Sequence, residues 1–285
     1  MKKFWGVLLC VTMLLTVFTA CTKIEDETNS PSDQASTQAA DNNGGNGGNN
    51  DISDKKYFIV GFDADFPPMG FLDENGEYVG FDLDLAKEAA SRMGLEFKAQ
   101  PIAWDSKDSE LSSGNIDCIW NGFTISGREN DYAWTDAYME NKQVVVVNSD
   151  SDIATLADLS GRIVAVQKDS SGLAAVNDNE ELKNSIGSLL EEDNYLTAMM
   201  ELESGAVDAI VMDEIVARYQ IQKSGKDFKI LNETVASETY GVGFDLGNTE
   251  LRDQVQSVLE EMAADGTLAE ISNNWFGKDV TIIGK

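Results

Sequence analysis

The 285-residue chain predicts an α/β fold of two similar lobes, with mainly parallel sheets and two hinge crossovers around a ligand cleft. Two observations carry that prediction. The first is an internal repeat: Glu110–Trp120 reads ELSSGNIDCIW, and Glu201–Val211, ninety-one residues on, reads ELESGAVDAIV, with six of eleven positions identical. In each copy a helix stops at a glycine suited to a left-handed cap, Gly114 or Gly205, and an apolar strand follows at once. The second is the alternation of strand-like and helix-like segments along residues 55–285, which implies sheets with helices packed against them.

The elements follow in order. Tyr57–Asp63 is a strand, and Phe81–Met93 has the apolar spacing of an amphipathic helix, with Asp82 placed to cap its start. Between them Asp73–Gly76 has the composition of a turn. Leu95–Gln100 reads as a strand and Asp105–Ser113 as the helix of the first repeat copy. In the second half, Arg162–Gln167 is a strand, Ser170–Ser185 partly helix, Tyr195–Ser204 helix and Val207–Met212 strand. Gln143–Val147 and Thr239–Phe244 are extended apolar runs where the chain is expected to cross between lobes and return. One lobe is then residues 55–145 plus 241–285, and the other residues 146–240.

Ahead of the lobes, residues 1–20 have the form of a secretory leader: Lys2 and Lys3, an apolar stretch from Phe4 to Phe18, then small Thr19 and Ala20. The apolar run is shorter than the roughly 20 residues of a spanning helix. Residues 21–54 hold Asn, Gly, Ser, Asp and Gln without an aromatic side chain, so they cannot bury a core. As a flexible tether they would reach about 30 Å. The formal charge of -29 repels phosphate backbones and anionic lipid, so nucleic-acid binding and peripheral membrane binding by the folded part are disfavoured.

The absence of histidine removes Ser-His and Cys-His catalysis and every His-ligated metal site. Cys10 falls in the leader and Cys21 directly after it, which leaves Cys118, flanked by Asp117 and Ile119, as a buried apolar residue of a strand. Asp63, Asp65, Asp82 and Asp84 lack the spacing of a calcium loop. No metal and no cofactor is expected, and the chain is expected to act as a monomer.

Ligands of such sheets bind beyond the carboxyl ends of the strands. In the two repeat copies those ends fall at Asn121–Thr124 and at Met212–Asp213, two half-sites facing one cleft. A free amino acid carries a carboxylate and an ammonium, and burying both needs a fixed cation and a fixed anion. Arg128 follows the first half-site, and its planar fork can grip a carboxylate bidentately. Ser170 and Ser171 stand where a helix starts and offer hydroxyls and free N–H groups to an anion. Asp213 can take the ammonium.

The sequence resembles the amino-acid-binding proteins of ABC importers, bilobal receptors of the periplasmic-binding-protein-like type II. The resemblance covers about residues 57–278. It rests on VGFDADFPPMGF (Val60–Phe71), GEYVGFDLDLAKE (Gly76–Glu88), GNIDCIWNGFTISGRE (Gly114–Glu129), GRIVAVQKDSSG (Gly161–Gly172), SGAVDAIVMDE (Ser204–Glu214) and ADGTLAEISNNWFG (Ala264–Gly277), in that order. It implies that Asp63 and Phe66 line a side-chain pocket, with Trp104 stacking on the ligand. It further implies polar and backbone groups from Asn121, Gly122 and Thr124, a carboxylate clamp at Arg128, closure by Gln167, Ser170 and Ser171, and Asp213 on the ammonium. The spacing between Thr124 and Arg128 is one residue shorter than is common in the family, and Asp169 stands where a small residue is more common.

FTAC (Phe18–Cys21) resembles a bacterial lipobox, with Phe18 in place of the usual Leu, which implies a lipid on Cys21. The expected partners are a free amino acid, the permease subunits of an ABC transporter, and the membrane through the anchor. The expected location is extracytoplasmic. Two other functions fit the scaffold: a cleft enzyme of the cyclohexadienyl dehydratase kind, which a few bilobal relatives are, and a ligand-sensing module. No acid/base pair with a perturbing partner is apparent for the first, and the chain has no signalling domain of its own for the second.

Overall fold

The computed structural model describes residues 55–285; the expected leader, Cys21 and tether lie outside the described residues. The chain runs through β1 (Tyr57–Phe62), β2 (Asp65–Phe66), β3 (Gly70–Leu72), β4 (Tyr78–Val79), α1 (Phe81–Arg92), β5 (Glu96–Pro101), α2 (Lys107–Ser112), β6 (Cys118–Ile119) and β7 (Ala133–Trp134). There follow β8 (Met139–Asn148), β9 (Ile163–Gln167), α3 (Ser171–Asp178), α4 (Glu180–Ser185), β10 (Ser188–Glu192), α5 (Tyr195–Ser204), β11 (Ala209–Asp213), α6 (Glu214–Ser224) and β12 (Phe228–Tyr240). The described chain ends with β13 (Gly243–Phe244), α7 (Thr249–Asp265) and α8 (Thr267–Phe276).

Two five-stranded sheets result, ordered β5-β1-β6-β13-β7 and β10-β9-β11-β8-β12, one for each lobe. The sheets are mixed rather than mainly parallel. The first three strands of each are parallel, linked through helices, whereas β13 and β8 each run antiparallel to both neighbours. Those strands enter from the opposite lobe without an intervening helix, and nothing turns them round.

The repeat is visible in three dimensions. Gly114 and Gly205 end their helices at φ 74° and 76°. The aspartate that follows each, Asp117 or Asp208, bonds to the neighbouring strand in the same way: its carboxylate accepts the amide of Ile59 at 2.7 Å or of Ile163 at 2.8 Å, and its own amide donates back to the same residue.

The crossings lie at Trp134–Met139 and Tyr240–Gly243. There Thr135 and Tyr138 donate their amides to Val242 and Tyr240, and the two passes run side by side. Thr239–Phe244 does span the return. Gln143–Val147 does not span the outward pass; it lies within β8, paired with β11 on one side and β12 on the other. Its valines are fully buried, and an apolar run of that length is as much the mark of a central strand as of a connection. The strand order therefore assigns residues 139–145 to the second sheet.

Helix α1 packs Phe81, Leu85, Ala86, Ala89 and Ala90 against the first sheet. Its cap position is Gly80, and Asp82, expected as the cap, lies inside the first turn and is fully buried. The reason is a better partner: its carboxylate reaches the loop after β6.

Candidate functional site

The site is built where the loops after β1, β6, β9 and β11 meet. Beyond β6, Gly122 takes φ 56°. A Cβ there would sit 2.9 Å from the Phe66 ring and 3.2 Å from the Tyr240 ring, so only glycine fits the backbone between them. Its amide donates to Asp82 Oδ2 at 2.6 Å, and the Tyr138 hydroxyl donates to the same oxygen at 2.8 Å. No described cation offsets Asp82, and burial raises it to about 7 although both bonds pull the other way.

Asp63, at the end of β1, ties this loop to the second lobe. Its amide donates to Asn121 Oδ1 at 3.1 Å, its Oδ1 accepts the Asp65 amide at 2.8 Å, and its Oδ2 accepts Gln167 Nε2 at 2.6 Å. Burial lifts this carboxyl to about 6, against the lowering effect of the two bonds it accepts. Beside it Phe66 meets Tyr195 of the second lobe at a ring separation of 6.0 Å.

On the second lobe Ser170 is the cap of α3. Its hydroxyl accepts the Leu173 amide at 3.1 Å and donates to the Gln167 carbonyl at 2.7 Å, so it is already committed. The Ser171 hydroxyl accepts Gln143 Nε2 at 3.0 Å, and the first amides of α3 have no acceptor within the helix. Arg128 lies opposite. It donates to the Thr124 carbonyl at 3.3 Å and the Asp169 carbonyl at 3.1 Å, with its guanidinium 5.2 Å from the centre of the Phe123 ring.

Trp104, expected to stack on a ligand, donates its indole N–H to that same Asp169 carbonyl at 3.2 Å and stands edge-on to Phe123. Asp169, the residue standing in for a smaller one, has φ 52° and pairs its carboxylate with Lys107, which is 1% exposed. Its negative charge is thereby matched.

Asp213 closes the site at the end of β11. It is fully buried and accepts Asn141 Nδ2 at 2.8 Å and the Tyr240 hydroxyl at 2.6 Å. Burial first, and the neighbouring Glu238 charge second, hold it well above the usual carboxylate range. Glu238 accepts Asn141 Nδ2 at 2.6 Å and Gln143 Nε2 at 2.9 Å. Asn121 Nδ2, Thr124 Oγ1, Gln143 Oε1 and the Tyr195 hydroxyl are buried without a partner among the described residues. Each such group costs about 1–3 kcal/mol if left unpaired. A cleft of about 460 Å³, lined by Arg128, Ser170, Ser171 and Glu238 among others, opens on the Arg128 side, and none of the four unpaired groups lines it.

The structure thus links Asp63, Asn121 and Gln167 directly, sets Phe66 against Gly122, and brings Arg128 and Trp104 onto Asp169. Sequence reasoning missed Asp82, Lys107, Gln143, Tyr195 and Glu238. A signal existed for Gln143: Met139, Asn141 and Gln143 alternate buried with exposed Glu140 and Lys142, so two amides occupy inward positions of a strand.

The family model for bacterial extracellular solute-binding proteins, family 3, matches residues 58–278. An L-cystine-binding protein of Escherichia coli (strain K12) is 30% identical over 237 residues, covering 81% of this chain and 87% of that one. A solved ABC uptake transporter substrate-binding protein from Streptococcus pneumoniae, with bound histidine, aligns at a TM-score of 0.77 with 34% identity, covering 79% and 94%. A second, Tv2483 bound to L-arginine, aligns at 0.78 with 31% identity, covering 82% and 96%.

Proposed function

The chain belongs to the bacterial extracellular solute-binding proteins of family 3, and from that premise we propose that it captures a free amino acid between its lobes and delivers it to an ABC importer. The relatives it resembles are named for binding, and this chain is a binding protein, not an enzyme. The observation that carries the amino-acid reading is the charge layout of the cleft. One guanidinium, Arg128, stands beside Ser171 and the first amides of α3, and one carboxylate, Asp213, stands at the other end of a polar shell with unpaired groups. That layout matches a zwitterion: the carboxylate goes to Arg128 and α3, the ammonium to Asp213. Asn121, Gly122, Thr124 and Gln167 complete the wall, and Asp63 with Phe66 meets the ligand side chain.

Hydrogen bonds to charged groups contribute about 1.5–3 kcal/mol each. Micromolar binding corresponds to about -8.2 kcal/mol, which two gripped charges and side-chain burial can supply. A thermal-shift screen of the common amino acids and cystine tests the reading, since a ligand at a hundred times its Kd stabilises by about 2.7 kcal/mol. Stabilisation by sugars or peptides but by no amino acid would refute it.

The finer parts of the proposal concern the anchor and the partner. Cys21 carries the lipid, the protein works as a monomer tethered outside the cell membrane, and permease subunits receive it. A fatty acid carrying an alkyne tag should then label the wild-type protein in growing cells and fail to label Cys21→Ser.

A further inference from the structure

We infer that Glu238 is a second carboxylate for the ligand ammonium, forming with Asp213 and the Gln143 amide oxygen a cradle of three acceptors that selects a primary ammonium. The inference rests on the amino-acid reading above and adds to it a specificity determinant on β12.

The sheet puts the three groups together. β8 lies between β11 and β12, with Asp213 paired opposite Gln143 and Glu238 paired opposite Asn141. The two carboxylates therefore flank one strand, and Asn141 Nδ2 holds both, at 2.8 and 2.6 Å. All the hydrogen bonds that described residues give Asp213 fall on Oδ1, and all those given to Glu238 fall on Oε1. No N–H or O–H of a described residue reaches Oδ2 or Oε2, and the two carboxyl groups lie within hydrogen-bonding reach of each other.

Every donor to the pair is neutral: Asn141, Gln143 and Tyr240. Neither carboxylate forms an ion pair with a described lysine or arginine. Two adjoining buried carboxylates with neutral donors alone must share a proton or take a cation, and burial and the Glu238 charge hold Asp213 well above the usual carboxylate range, so a bound ammonium would take the place of that proton.

The amide of Gln143 supplies an independent sign of a missing donor. It is fully buried, its nitrogen is fixed on Glu238 and Ser171, and its Oε1 has no partner. A Cβ on Gly172 would stand 3.0 Å from that oxygen and 3.0 Å from the equally unpartnered Tyr195 hydroxyl, so glycine at this position leaves a gap bordered by both. A primary ammonium has three N–H donors, and Asp213 Oδ2, Glu238 Oε2 and Gln143 Oε1 offer one acceptor to each. A secondary ammonium lacks one of the three donors, and a quaternary one lacks all of them.

The test is calorimetry with L-arginine, L-histidine and L-cystine on the wild-type protein, Glu238→Gln and Glu238→Ala. The best binder is then compared with its Nα-methyl derivative. Glu238→Gln keeps the shape of the side chain and guards against a folding defect in the alanine variant, checked by thermal melting. We expect Glu238→Gln to weaken binding at least tenfold. The Nα-methyl derivative should bind the wild-type protein at least tenfold more weakly than its parent, with a smaller gap in Glu238→Ala. Wild-type binding with both variants within twofold of it, or equal binding of the methylated derivative, would overturn the inference while leaving the amino-acid reading intact. If none of the common amino acids in the thermal-shift screen binds the wild-type protein, the reading falls and the inference with it.

Discussion

Removing the Asp169 carboxylate should weaken ligand binding more than removing the Lys107 charge, although the two form one ion pair between the lobes. Lys107 is 1% exposed and Asp169 half-exposed, so the pair is neither a surface bridge nor a fully buried one. A charged hydrogen bond contributes about 1.5–3 kcal/mol, and contact with solvent on the Asp169 side reduces this to about 1–2 kcal/mol. In Lys107→Met that contribution is lost while the aliphatic packing stays.

In Asp169→Gly it is lost too, and the closed form then buries the Lys107 ammonium without a counter-charge, a cost that the strain relieved at φ 52°, roughly 1 kcal/mol, offsets only in part. The Trp104 and Arg128 bonds survive there because they go to the backbone carbonyl. If binding requires the lobes to close, affinity follows the population of the closed form. Lys107→Met should therefore raise Kd about 5- to 30-fold, and Asp169→Gly by more than Lys107→Met does. Isothermal calorimetry reads the affinities, and small-angle scattering of the ligand-free protein reads the separation of the lobes. Equal Kd values for both variants and the wild type would show that this contact carries no closing energy.

Three further outcomes are expected. Arg128→Ala or Asp213→Ala should weaken amino-acid binding at least tenfold in calorimetry without changing the fold, since removing one partner of a desolvated charge pair costs about 2–5 kcal/mol. Asp82 is raised to about 7 in the folded chain, so folding favours its protonated form. The stabilisation is complete below the ordinary carboxylate range and is lost as pH rises through 7, with an upper bound of roughly 4 kcal/mol by linkage. Urea unfolding at pH 5 and pH 8 should show that loss in the wild type and a smaller one in Asp82→Asn. Gly122→Ala should lower the melting temperature and weaken binding together, because its Cβ meets Phe66 and its φ of 56° disfavours any side chain; an unchanged melting temperature would contradict the packing.

The two-lobe plan was legible because the repeat spells out a local motif of helix, left-handed cap and strand. Asp82 was not, since an aspartate in a first helical turn serves a cap, a helix dipole or a distant loop equally well on sequence grounds. Glu238 was hidden for a different reason. It sits on a thirteen-residue strand whose register shifts twice, between Ile230 and Thr234 and between Thr234 and Ala236, so no single alternation tells which face it takes. Lys107 reads as a surface residue of a short helix until the opposite lobe covers it.

The repeat also separates scaffold from function. Where the copies agree, at Asp117 and Asp208, the residues do the same structural work: each bonds the adjoining strand and meets a cation, Lys55 at 2.5 Å or Arg162 at 3.9 Å. Where the copies part, Asn121 and Gly122 of the first correspond to Met212 and Asp213 of the second. Those are the positions that leave the sheet for the cleft. A lobe duplicated without change would present the same groups from both sides, and a zwitterion has unlike ends. Binding one requires the copies to differ just past their shared strands, so the point at which the repeat fails marks the site more sharply than the repeat itself.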